Sequence, residues 1–184
     1  RMLPGMTVVV PCDAIETYKA TMALYDTPGP CYIRFGREAV PVVTDDDTPF
    51  VLGKNRLVQD GADVVYLANG YLVHQAMRAA EKLSAEGISA RVVDVHTVKP
   101  LDREDVIRHA SETGAVVVCE EHQINGGLCG AVCETLAESV CVPVERIGVR
   151  DSFGESGTPE ELIEKYGLGV DALCEAARRA IARK

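Results

Sequence analysis

A chain of 184 residues, 47% hydrophobic and 26% charged, has the composition of an ordinary globular protein, and at that length roughly 70% of the unfolded surface can be buried without staples. A net charge of −9 with no basic tract excludes the electrostatic footprint of a nucleic-acid or anionic-membrane binder. No apolar stretch approaches the roughly 18–20 residues of a bilayer span and no leader pattern opens the chain, so a cytoplasmic protein is expected.

Residue 1 is Arg rather than Met, and a strand pattern, Thr7–Val10, follows almost at once, which points to a piece of a longer polypeptide. Asp13, with Glu16 three residues on, has the capping arrangement that starts a helix over 13–26. A second strand, Cys31–Phe35, lies within GPCYIRFGRE. Its two arginines, Arg34 and Arg37, follow the strand at the end where open α/β sheets present ligand groups. A guanidinium there suits a two-pronged grip on phosphate or carboxylate, although arginines in such places also pair with surface acids.

The next stretch, VPVVTDDDTPF at 40–50, has two prolines bracketing three consecutive aspartates. Missing donors and like-charge repulsion keep it out of a sheet, and it reads as a linker. It separates a short βαβ piece, 1–39, from an α/β unit over 56–184, and the short piece leaves an apolar sheet face to be covered by something else.

Beyond the linker, Val- and Ile-rich runs alternate with helical patterns, the signal for βαβ units and a parallel sheet. Strands are expected at Val64–Ala68, Ala90–Val95, Ala115–Glu120 and Val144–Val149. Helices are expected over 71–86, 102–112, 127–139, 159–166 and 170–183. Leu72, Ala76, Ala79, Ala80 and Leu83 form a helical core stripe. Thr158, Pro159 and Glu161 form a capping box with proline at the first helical position.

The segment EEHQINGGLCG, 120–130, concentrates polar and flexible residues between a strand and a helix. That context favours anion binding at a helix N-terminus, but Asn125 stands where the dinucleotide fingerprint needs glycine. A second reading is that Gly126 and Gly127 only let the loop turn. His122 is expected as a loop histidine in a polar or subunit contact, since Glu121, its strand neighbour, points to the opposite face. His74, His96 and His109 show no metal-ligand spacing. The seven cysteines contain no C-x-x-C pair and most are expected as buried thiols. Cys129 and Cys133, one helical turn apart, also suit two metal ligands.

Taken in order, PGMTVVVPCDAIETYKA, GPCYIRFGREAVP, VVVCEEHQINGGLCGAV and SFGESGTPEELIEKYGL resemble the C-terminal part of the transketolase family across essentially the whole chain. The resemblance implies that 1–39 is the tail of the pyrimidine-binding domain of a thiamine-diphosphate enzyme and 40–55 a linker. It implies that 56–184 is the transketolase C-terminal domain, a mostly parallel five-stranded sheet flanked by helices with a role in dimer structure. By the same resemblance Arg37, with Arg34 second to it, holds the phosphate of a sugar substrate, and the 120–130 segment has no catalytic duty.

The family's catalytic residues, thiamine diphosphate and Mg2+ sites lie elsewhere, in remaining domains or an N-terminal subunit. The chain by itself is therefore expected to bind no cofactor and to be inactive, with a homodimer as the assembly. YIRFGRE looks more like transketolase than 1-deoxyxylulose-5-phosphate synthase, where Tyr-Pro-Arg-Gly is more usual. The beta chain of 2-oxoacid dehydrogenases, lacking sugar-phosphate substrates, would not need the arginine. A competing reading is a non-catalytic nucleotide- or effector-binding module built on the loop 125–130.

Overall fold

The computed structural model describes residues 1–184 and divides their strands between two sheets. The larger has five strands in the order β3 (Arg56–Gln59), β5 (Ala90–Asp94), β4 (Val64–Ala68), β7 (Val116–Gln123) and β8 (Val144–Val149). All pairings in it are parallel except β3 with β5. Every residue of β4 is fully buried, because Val64, Tyr66 and Ala68 face one helical layer while Val65 and Leu67 face the other. The first layer is α2 (Leu72–Ser84) and α6 (Val170–Ile181); the second is α3 (Arg103–Thr113) and α4 (Leu128–Ala137). α5 (Pro159–Lys165) carries the capping box, Thr158 and Glu161 bonding each other's backbone N–H.

The smaller sheet has the order β2 (Cys31–Ile33), β1 (Thr7–Val9), β6 (Thr97–Lys99). β1 and β2 are parallel and joined by α1 (Ala14–Tyr25); β6 runs antiparallel to β1 on its other side. A strand contributed by the 56–184 unit thus completes one edge of the sheet begun by 1–39, and β2 remains the open edge. On α1, Tyr18, Met22 and Tyr25 form an exposed stripe at helical spacing.

The anticipated strands and helices form with ends within about two residues of the expected ones, the usual scatter of boundaries, except that β7 runs three residues past Glu120. That extension corrects the placing of His122, which lies in an extended strand end rather than a loop. Two strands were not anticipated. β3 and β6 span four and three residues, too few to show a period, and their pairing is decided by β5 and β1 beside them. The cysteines are all free thiols, four buried, Cys133 half-buried and Cys31 and Cys141 exposed.

Buried polar groups join the two parts of the chain. Asp13 caps α1 through Glu16 N at 2.8 Å, and also accepts from the N–H groups of Val43 and Thr44, each at 2.7 Å. Burial acts to raise its pKa, but these donors and the Thr44 hydroxyl outweigh burial and lower it. Lys19 Nζ donates to the carbonyl oxygens of Asp45, Asp46 and Thr48, so the acidic stretch after Thr44 is tied down through its backbone. Behind Asp13, Glu16 lies beside Asp94, and Arg56 donates to Asp94 Oδ2 at 2.9 Å.

Two buried carboxyls beside one guanidinium favour holding a proton. Desolvation, then the neighbouring Glu16, push the Asp94 pKa well above its ordinary value, with Arg56 opposing. A carboxyl raised in the fold contributes stability that is complete below the unfolded value of 3.8 and is lost as pH rises through the folded value. Asp94→Asn, which mimics the protonated form, is expected to flatten the decline in stability between about pH 5 and about pH 8. Urea-unfolding midpoints of both proteins at the two pH values check this; an equal decline in the variant contradicts it.

Candidate functional site

The strand end at 31–37 sends its two arginines to different places. Arg34 N donates to Val9 O at 2.9 Å, so β-pairing continues to residue 34. Arg34 therefore shares a sheet face with Tyr32, Val8 and Val10 and lines a cavity with them. Past Gly36 the pairing has stopped, and Arg37 extends into solvent, 95% exposed, with only its neighbour Glu38 as ion-pair partner at 3.0 Å. Arg34 makes no ion pair within the chain.

The 120–130 segment is organised by a residue that its sequence pattern did not single out. Glu120, 2% exposed, accepts from Leu128 N and Cys129 N, both at 2.8 Å, through its two carboxylate oxygens. These are orphan donors at the start of α4, the groups an external anion would use. The helix N-terminus is an anion cradle already filled by the chain's own carboxylate. Gly127 is required by this closeness, since a Cβ there would lie 2.0 Å from Glu120 Oε2. The only available signal was a carboxylate ending a strand eight residues before a glycine-led helix.

His122 stands on the same side as Glu120, two residues along the strand. Its Nδ1 is 2.6 Å from Gln123 O and 3.7 Å from Glu120 Oε2. With Nδ1–H donating to that carbonyl, Nε2 is left as an acceptor. Both side chains border a cavity of about 250 Å³ between the two sheets, walled also by Arg34, Asn69 and Leu128. Asn69, missed in the sequence, follows β4; it is 2% exposed and its Oδ1 has no hydrogen-bond partner.

The glycine loop does not fit a diphosphate, and the acidic cluster beside Cys12 does not fit Mg2+. The glycine-loop donors are taken by Glu120. Cys12, Glu16 and Asp94 bring ligand atoms within 4.8 Å of one another, but the Arg56 guanidinium is already bound to Asp94 and opposes a second cation. Burial and the neighbouring carboxylates push the Cys12 thiol well above its ordinary pKa, away from the thiolate a metal needs. Cys129 is pushed up likewise, by burial and then by Glu120. Its sulfur contacts Val118 O and Ile147 O, each at 3.7 Å, so it packs in the core.

Comparison with known proteins places this geometry in a lineage. The family model described as the C-terminal domain of transketolase matches residues 53–173. A 6-deoxy-6-sulfo-D-fructose transketolase subunit of Clostridium sp. (strain MSTE9) is 44% identical over 184 residues, covering 100% of this chain and 57% of the relative. An apulose-4-phosphate transketolase subunit of Phocaeicola vulgatus is 43% identical over 178 residues, covering 96% of this chain and 57% of the relative. A solved structure of a split-gene transketolase in an inactive beta4 tetramer superposes with a TM-score of 0.97 at 45% identity, covering 100% of this chain and 60% of that one. The chain thus spans rather more than half the length of these three proteins.

Two substitutions probe the filled cradle. Glu120→Ala, which orphans two buried N–H groups, is expected to cost about 3 kcal/mol of stability. Gly127→Ala, which forces the carboxylate off its donors, should cost a comparable amount. Denaturant unfolding measures both; a loss below about 1 kcal/mol in each would mean that the bonds to Glu120 matter little to the fold.

Proposed function

Because this chain belongs to the transketolase family through its C-terminal domain, we propose that it is the C-terminal portion of a thiamine-diphosphate-dependent transketolase that moves a two-carbon ketol unit between sugar phosphates. Its own share of the work is structural and anchoring. The remaining domains, or an N-terminal subunit, bring the cofactor, which supplies the electron sink for the transferred carbanion. Residues 1–39 are the end of the pyrimidine-binding domain, 40–55 the linker and 56–184 the C-terminal domain, assembled as a homo-oligomer.

The observation that carries the anchoring role is the state of Arg37. Its guanidinium stands beyond the carboxyl end of β2, almost wholly exposed and held only by an adjacent carboxylate that is itself half in water. An exposed pair of this kind is worth little, so the guanidinium is free to turn to a stronger partner. A sugar's terminal phosphate offers charge-assisted, bidentate bonds and fixes the substrate at a distance from the reacting carbon. The two relatives' names each include a sugar bearing an anionic group, a sulfonate in one and a phosphate in the other. This reading assigns the anchor to Arg37 and leaves Arg34 to the cavity. The nucleotide-module alternative has less to recommend it, since Glu120 occupies the donors it would need.

In the full assembly, Arg37→Ala is expected to raise the Michaelis constant for phosphorylated donors about 30-fold while leaving an unphosphorylated donor little changed. Equal constants for parent and variant would remove the anchor. Calorimetric titration of the 184-residue chain with thiamine diphosphate and Mg2+ is expected to show no saturable heat, and tight binding would overturn the division of labour.

A further inference from the structure

The five-stranded sheet has a topological switch point that plays no part in anchoring the substrate through Arg37. From β4 the chain crosses by α2 to β5 on one side, and β7 is then laid down on the other. In open α/β sheets the crevice outside the carboxyl ends of two such strands is where ligands sit. Asn69 leaves the end of β4 here, and Glu120 and His122 the end of β7. The 250 Å³ cavity opens between them.

We propose that this cavity binds a small organic anion that also carries a hydroxyl donor, a short hydroxy acid or phosphorylated polyol. Its walls hold complementary groups that the protein leaves unused. Arg34, on the β2 side, is a half-buried guanidinium without an acidic partner in a chain of net charge −9, and it takes the anionic end. Opposite it, the buried Asn69 Oδ1 has no donor and His122 Nε2 is free to accept; these take the hydroxyl. Val8, Val98 and Leu128 supply an apolar floor.

Size and charge set the ligand's limits. At about 250 Å³ the space lies just under the roughly 300–1,000 Å³ usual for pockets that take drug-sized ligands, which suits a short-chain anion. Glu120 fills the donors of the α4 N-terminus, and the Arg1 guanidinium that also lines the cavity is already paired with Glu134, so Arg34 is the lining guanidinium left without an acidic partner and takes the anionic group. A ligand in this orientation spans from the sheet of 1–39 to that of 56–184 and strengthens the contact between them.

The site is independent of the substrate anchor, since Arg37 does not line it. Calorimetric titrations with glycerate, glycerol 3-phosphate and inorganic phosphate, on the chain and on the full assembly, test it and separate a carboxylate from a phosphate ligand. At least one organic probe should bind saturably and more tightly than inorganic phosphate. Arg34→Gln should weaken it about tenfold or more, Asn69→Leu, which fills the space, should abolish it, and Arg37→Ala should leave it unchanged. Thermal unfolding of each variant establishes that it is folded, and Arg34→Gln, which breaks no internal bond, keeps the test valid should Asn69→Leu fail to fold. The proposal is overturned by no saturable binding of either organic probe, by binding indifferent to Arg34→Gln, or by binding lost in Arg37→Ala.

Discussion

The shape of the crevice between the two sheets depends on one carboxylate bound to two backbone amides. Glu120 takes the donors of Leu128 and Cys129 and in doing so sets the start of α4, requires glycine at 127 and fills the place of a phosphate. A glycine-rich loop after a strand is elsewhere an invitation to nucleotides. Here the same backbone geometry is used internally, and His122, two residues on, is turned toward the space between the sheets.

The second constraint is the joint between the two parts of the chain. β6 extends the sheet of 1–39, Asp13 holds the backbone of 43–44, and Arg56 meets Asp94 beside Glu16. A buried pair is weak support for stability on its own. Its value here lies in register: α1, β3 and β5 contribute one member each, so a slip of any element leaves a buried charge unpaired. The raised pKa of Asp94 follows from its burial first and from the neighbouring Glu16 second, with Arg56 opposing both.

These two features divide the surface chemistry. On the outer surface, Arg37 and the α1 stripe of Tyr18, Met22 and Tyr25 face solvent. On the inner side, the crevice between β4 and β7 keeps an unpaired guanidinium and an orphaned amide. The chain therefore presents two arginines of different character, Arg37 almost wholly exposed and Arg34 lining the space between the sheets, three residues apart along the same strand end.

Much of the architecture was legible before folding was considered. The βα alternation, the caps at Asp13 and Thr158, and the α2 core stripe are local signals, carried by residues within a turn or two of one another, and they appear where expected. The short strands β3 and β6 were not legible because three or four residues show no period and their partners lie far off in the chain. Glu120 and Asn69 were missed for the same kind of reason: each looks like an ordinary strand-end polar residue until the donors of α4, or the absence of any donor, are brought beside it. Sequence alone determined the longer elements, their order and the family resemblance, because those rest on local propensity and pattern. Only the tertiary structure decided which anion the glycine loop holds and how Arg34 parts from Arg37, because both depend on distances between residues that the chain order does not bring together.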